Sequence, residues 1–494
     1  MDDVCPLFLA QIATKPRQRR RLPQPRRFKR ETCETLNCNR RIALYIQVRY
    51  ERYPWSVESL YLFPGNLTNL QQLVLFTVAM ITGLISIYAF NMWILTILSI
   101  RGRNKLAPPP KLDNWPKVSV HLPLFNEERV AKRLIEACAN LDYPADKLEI
   151  IVIDDSTDNT TKIVKSLEAK YPNLVRVIHR EDRVGFKAGA LEVAMKNSTG
   201  EFIALFDADY VPPTDFLKKM IPNLYIDESI AFAQSRWSYL DGQFSWIAKA
   251  MSLAIDVYAF VDQRARYVGN LLAHFSGTCG VFRRKSIEDA GGWSSDTLAE
   301  DLDLSIRLHL KGWKYIYVPT VVCPGEIPPS FDNLRHQQYR WAKGYSECLR
   351  KHGGSILRST KLNFFQKVEA ILHLSTYFIC PLTIIAIVVG LLYYSVFPPS
   401  FWLMGFWRYQ VALITFLLSL VIYSAPLAAS GVTVSEFSQL GVMKLRRILH
   451  LGYLGAIVYG LLLSNSRAVI EGLFSRTSYF YRTPKMGSIR VTRD

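Results

Sequence analysis

Long apolar runs flank a central stretch of mixed character in this chain. The first run, Leu73 to Ser99, holds no charged residue. It is long enough to cross a bilayer, whose hydrocarbon core needs about 20 apolar residues. Between residues 115 and 345 the pattern becomes short β-branched runs separated by helical segments. Val118 to Phe125, Leu148 to Asp154, Val175 to His179 and Phe202 to Phe206 read as strands. In the second, Ile150-Ile151-Val152-Ile153 is unbroken, as suits a strand buried on both faces of a parallel sheet. Strands and helices in alternation predict an α/β domain with an open sheet. After residue 345 this pattern stops, and candidate spans cover residues 368–396, 410–430 and 447–465.

Charge refines this layout. The chain of 494 residues carries a net +18, and much of the excess lies in the run Arg17 to Arg30. Residues 1–70 therefore read as a basic, solvated, disordered arm, with contact to acidic lipid as the alternative; no nucleic-acid partner is expected. Arg101, Arg103 and Lys105 follow the first apolar run, whereas Tyr53 to Gln72 contain no Lys or Arg. The positive-inside rule then places residue 101 onward in the cytosol. Pro6 to Ala10 is too short for the apolar region of a secretory signal. Cys33 and Cys38 have no second pair near them, so neither a zinc site nor a disulfide framework is expected.

Ligands of open α/β sheets bind beyond the carboxyl ends of the strands. Two strands end there in carboxylates, at Asp154-Asp155 and at Asp207-Ala208-Asp209. A strand-end Asp is often only a helix cap. Yet Asp207 and Asp209 can share one hard cation, which prefers oxygen ligands. Mg²⁺ or Mn²⁺ held between them and a diphosphate would neutralise a leaving group. Lys187, in Gly185-Phe186-Lys187-Ala188-Gly189, can meet a phosphate at a strand-to-helix turn. Glu300-Asp301 opens a helical segment, Leu302 to Leu310, where acidic residues suit the helix dipole; Asp301 is also a candidate general base. Gln337, Arg340 and Trp341 combine an amide, a fixed charge and a large ring, suited to a diphosphate beside a stacked sugar or base, or to an interfacial helix.

In this order, Asp154-Asp155, Asp207-x-Asp209, Glu300-Asp301 and Gln337-x-x-Arg340-Trp341 resemble the motifs of processive family 2 glycosyltransferases, the cellulose, hyaluronan and mannan synthases. Lys187 to Leu191, Phe275 to Thr278 and Gly291-Gly292-Trp293 are similar to the cellulose-synthase-like A and C branch. The resemblance covers residues 115–345 and implies a cytosolic GT-A domain, a mixed, mostly parallel sheet inserted between transmembrane helices. It implies inverting, metal-dependent transfer of a hexose from UDP-glucose or GDP-mannose to a growing β-glycan that crosses the membrane. Asp154, Asp155 and Lys187 would contact the nucleotide, and Asp207 and Asp209 the metal. Asp301 would be the base. Gln337, Arg340 and Trp341 would line the diphosphate and acceptor end, with Phe275, Ser276, Gly277 and Thr278 near the acceptor sugar. Phe480 to Lys485, within residues 472–494, is similar to the family's gating loop, so Thr483 and Lys485 would reach the diphosphate. Regulation through a C-terminal second-messenger domain is not expected.

Two other readings stay open: a non-processive transferase that glycosylates a lipid, and a catalytically silent subunit of a synthase complex. The expected protein is multi-pass, in the plasma or Golgi membrane, in contact with lipid and self-associated or part of a complex. One conflict remains. A gate on the cytosolic side needs an even number of crossings within residues 346–471, but three candidates lie there. Either 447–465 lies in the interface or residues 366–406 hold two short spans broken near Pro381.

Overall fold

The computed structural model describes residues 68–102, 108–240, 245–397, 410–439, 445–475, 485 and 487. The basic arm up to residue 67, Cys33, Cys38 and Thr483 lie outside them.

Four strands form where the β-branched runs stand: β1 (Val118–Leu124), β2 (Leu148–Asp154), β3 (Val175–His179) and β4 (Phe202–Leu205). Three further strands, β5 (Ile230–Tyr239), β6 (Gly280–Arg283) and β7 (Lys314–Gly325), complete one sheet in the order β3-β2-β1-β4-β6-β5-β7. All pairings are parallel except those of β6, which runs antiparallel to β4 and β5. The sheet is thus mixed and mostly parallel, as expected. Successive side chains of a strand point to opposite faces. Ile150 and Val152 pack under α2 (Ala131–Ala139) and α3 (Thr160–Lys170), while Ile151 and Ile153 pack against α4 (Phe186–Lys196). That explains why β2 tolerates no polar residue between Ile150 and Ile153.

Among the described residues, four helices are long and apolar enough to cross a membrane: Asn69–Arg101, Thr376–Val396, Leu413–Gln439 and Leu445–Phe474. The first, α1 (Asn69–Arg101), begins four residues before the apolar run because Thr68 and Gln71 form a capping box. Within the sheet domain lie α5 (Trp246–Val257) and α6 (Glu300–Lys311), and after β7 come α7 (Phe331–Arg358), α8 (Phe364–Leu374), α9 (Ile379–Val396), α10 (Gln410–Gln439) and α11 (His450–Phe474).

The expected span 368–396 divides. Its first part belongs to α8, whose Glu369 and His373 are buried, and the break falls at Ser375 rather than at Pro381. Buried ionisable groups on α8 hold it to the domain, so it is no span. Tyr88 on α1 meets Ser375, and Gln71 donates to the Val396 carbonyl, so α9 runs antiparallel to α1. Ser86 and Trp93 meet Leu418 and Ser424 in turn, so α10 runs parallel to α1.

Candidate active site

A cavity of about 490 Å³ opens at the carboxyl ends of β1, β2 and β4. Asp207, Asp209, Asp301, Arg340 and Trp341 line it, as do the aromatic residues Trp237, Tyr258, Tyr345 and Tyr377. The site therefore joins a charged region to an aromatic one.

The end of β4 carries the two outer carboxylates. The Asp207 backbone N–H donates to Thr278 Oγ1 at 2.8 Å, which fixes the strand end. Lys187 Nζ lies 2.8 Å from Asp207 Oδ1 and 3.3 Å from Glu300 Oε1, and donates to the Gly277 carbonyl at 2.8 Å. Burial works against the Lys187 charge, but Asp207, Glu300 and Asp301 outweigh it and hold the ammonium well above its usual range. Burial raises the Asp207 carboxyl, with Lys187 opposing and Asp209 adding to the rise. Asp209 Oδ2 is 2.5 Å from Lys485 Nζ, so Lys485 reaches this site. Asp209 Oδ1 is buried and has no hydrogen-bond partner among the described residues. No three His, Cys, Asp or Glu side chains form a metal cage among the described residues. Two carboxylates with an open oxygen suit a cation that completes its shell with diphosphate and water, as Mg²⁺ does.

Asp301 stands at the first turn of α6. Its Oδ1 accepts from the Leu302 N–H at 2.8 Å. Its Oδ2 lies beneath Gly277, where an added Cβ would come within 2.7 Å. Burial, with repulsion from Glu300, pushes its carboxyl up to about 7, against the pull of Lys187. A carboxyl with that affinity for protons can take one from a hydroxyl near neutral pH.

Two expected contacts fall outside the cavity. Asp154 is fully buried; it accepts from the Ser156 N–H and from Thr161 Oγ1 and pairs with His179 Nδ1 at 2.9 Å. It anchors the β2–α3 turn, so Asp155 alone of this pair faces the site. Asp155 is gripped by Arg180, whose Nε donates at 2.7 Å. Phe275 is likewise fully buried, packed among Phe232, Phe282 and Leu304, whereas Ser276, Gly277 and Thr278 line the cavity. Gln337, Arg340, Trp341, Lys187 and Lys485 line the cavity.

Several lining residues carry no motif. Tyr345 follows Trp341 by one helical turn and shares its face, a spacing that was readable. Tyr258, His274 and Tyr377 arrive from separate elements, and nothing local marks them. Arg183 lies over the Phe125 ring at 3.4 Å beside Asp155, forming a flat wall suited to a base or ribose.

Residues 116–344 match the family described as glycosyltransferase like family 2. The chain is 37% identical over 265 residues to glucomannan 4-beta-mannosyltransferase 2 of Arabidopsis thaliana, covering 52% of this chain and 50% of that protein. It is 35% identical over 294 residues to glucomannan 4-beta-mannosyltransferase 1 of Oryza sativa subsp. japonica, covering 58% and 56%. The chain spans about half the length of the curated relatives it matches. A mannosyltransferase from Pyrobaculum calidifontis, solved in complex with GDP-Man and Mn2+, superposes with a TM-score of 0.50 at 20% identity. That superposition covers 81% of this chain and 100% of the other. This last likeness is one of fold, a GT-A-like sheet with flanking helices.

Proposed function

From the premise that residues 116–344 form a glycosyltransferase family 2 domain, we propose that this protein transfers a hexose, with inversion, from a nucleotide diphosphate sugar to the end of a β-glycan. The observation that carries the proposal is the position of Asp301. It lines one cavity together with Asp207, Asp209, Lys187 and Lys485 and with the aromatic residues Trp237, Tyr258, Tyr345 and Tyr377, and its Oδ2 lies against Gly277. Mannose is the favoured sugar, since the curated relatives named above are mannosyltransferases.

In the proposed reaction, Asp155 and the Phe125–Arg183 wall hold the nucleoside. Lys187, Arg340 and Lys485 surround the diphosphate. A divalent cation, held by Asp207 and Asp209, would supply positive charge to the departing diphosphate. Asp301 accepts the proton of the acceptor hydroxyl as that oxygen attacks the anomeric carbon. No second carboxylate attacks the sugar, because one displacement inverts the centre. Trp341, Tyr345 and Tyr377 offer stacking faces to the acceptor. Tyr377 stands at the start of the candidate span Thr376–Val396, which supports passage of the product between the membrane helices.

The packing also supports a topology of three crossings. With α1 entering the cytosol, antiparallel α9 leaves it and parallel α10 returns. Helix α11 would then stay on the cytosolic face, bound to the domain at both ends. Arg447, just before it, pairs with Asp256, and Glu471 near its end meets Lys343 at 3.5 Å. Two crossings then lie between the domain and Lys485, which removes the conflict in parity.

The test uses the full chain in lipid nanodiscs with labelled GDP-mannose or UDP-glucose and Mg²⁺ or Mn²⁺, followed by size and linkage analysis. A β-linked polymer is expected. A single-sugar glycolipid as sole product would replace the polymer reading, and no transfer from any donor would favour a silent subunit. Asp209→Ala, or EDTA, is expected to abolish transfer; activity surviving both would remove the metal.

A further inference from the structure

The cavity also holds polar groups that donor binding and proton removal do not use. Past α5 the backbone loosens into a π-helical turn, Tyr258–Gln263. Such turns occur frequently at functional sites. Gln263 Nε2 donates to the Tyr258 hydroxyl, which lies 2.6 Å from Ser276 Oγ and 3.4 Å from His274 Nε2. The Tyr345 hydroxyl lies nearer the same nitrogen, at 3.3 Å, than Nδ1, at 3.5 Å. On the other side of the ring, His274 Nδ1 is 3.1 Å from His373 Nε2. Tyr258, His274, Ser276 and Tyr345 line the cavity, but His373 does not. His373 comes from α8, where Glu369, four residues earlier on the same face, is ion-paired with buried Arg266 at 2.8 Å. That pair fixes the helix and delivers His373 to His274.

Two facing ring nitrogens need one proton and one lone pair between them. Burial holds His274 down to about 4 and His373 well below its usual range, so both rings are neutral near pH 7. If His274 Nδ1–H donates to His373, His274 Nε2 accepts a tyrosine O–H. If His373 Nε2–H donates instead, His274 Nε2–H donates to a tyrosine oxygen, and that O–H turns toward the cavity. The pair therefore sets whether the tyrosine hydroxyls offer a proton or a lone pair. Sugar hydroxyls distinguish the two.

Building on the transferase reading above, we infer that His373 is a positioning residue for the acceptor sugar, acting through His274 to orient the hydroxyls of Tyr258 and Tyr345. Its ring never touches the sugar. Its Nε2 atom is what matters, so an amide that reaches the same place serves in its stead.

The test compares wild type, His373→Phe, His373→Gln and Tyr345→Phe as full chains in nanodiscs. Rates are measured against a β-linked mannooligosaccharide at saturating donor, and against donor at saturating acceptor. His373→Phe is expected to raise the acceptor KM about five- to tenfold, the effect of a hydrogen bond lost or misdirected. Donor KM and kcat are expected to stay within about twofold, and His373→Gln to recover most of the acceptor KM. Tyr345→Phe is expected to mimic His373→Phe, with the double variant no worse than either. A wild-type acceptor KM in His373→Phe, an equal rise in both KM values, or no recovery in His373→Gln would overturn the inference. Should His373→Phe not fold, His373→Asn, too short to reach His274, takes its place. If the wild type transfers no sugar, the transferase reading falls, and oligosaccharide binding followed by tryptophan fluorescence decides the pair alone. Weaker binding by the variant then supports it, and equal binding, or none by wild type, overturns it.

Discussion

Asp301 owes its proton affinity to two neighbours of opposite sign, Glu300 raising it and Lys187 lowering it, on top of its burial. In its proposed role as base it would work deprotonated, so kcat/KM is expected to fall as pH drops through about 7 and to level off above it. Glu300→Gln removes the like charge and is expected to move this limb toward acid, read from the pH profile. An unmoved limb would assign it to another group. Asp301→Asn is expected to lower kcat by roughly 10²- to 10⁴-fold with donor binding retained. Single residues were legible where chemistry demands a particular side chain at a strand end or helix start, as at Asp207, Asp209 and Asp301. Asp154 was not separable from Asp155, because adjacent residues of a strand face opposite ways. Only the fold shows that Asp154 turns toward Thr161 and His179 while Asp155 turns toward the cavity.

The loop Phe275–Thr278 joins the two halves of the site. Its Gly277 has φ of +78°, accepts from Lys187, and lies against the Asp301 carboxylate. Gly277→Ala would both strain the backbone and push its Cβ to 2.7 Å from Asp301 Oδ2. The carboxylate can swing away, so loss of the base's alignment is expected rather than unfolding. A fall in kcat of about tenfold or more goes with a stability loss on the order of 1 kcal/mol. Thermal unfolding beside steady-state rates checks it; a large loss of stability with unchanged kcat would mean that the loop is only structural. Elements were legible where apolar runs were long and β-branched, as in β1 to β4. The four residues of β6 are too few for a period to register, and its antiparallel direction depends on the partners β4 and β5. The division of residues 364–396 into α8 and α9 was equally hidden, since hydropathy averages across Ser375 and takes no account of where Glu369 is paired.

Over the whole molecule, α9, α10 and α11 are all long and apolar enough to be candidate spans, but their tethers differ. A helix of 25 residues is about 37 Å long, enough to cross a membrane or to lie along a domain. Helix α11 meets the sheet domain at both ends: Arg447 pairs with Asp256 at one, and Arg350 donates to the Ser475 carbonyl at 2.7 Å at the other. Between them, Ile457 and Leu461 pack with Ile247 and Met251 of α5, while Leu463, Ile470 and Phe474 are exposed. One face thus covers the domain and the other is apolar and exposed, which supports the proposed interfacial placement. A crossing helix could keep only one of the two end contacts, because Asp256 and Arg350 belong to one folded domain on one side of the bilayer. Single cysteines at Leu445 and Arg467, in a background without Cys5, Cys33 and Cys38, are therefore expected to react with an impermeant maleimide from the same side. That side is the one from which a cysteine at exposed Asp146 reacts. Labelling of Leu445 and Arg467 from opposite sides would make α11 a span and would carry Lys485 away from Asp209. Arg447→Ala is then the companion measurement. With α11 interfacial, it loosens one tether, leaves the buried Asp256 charge without its partner, and weakens thermal stability by about 3 kcal/mol without changing the side of labelling.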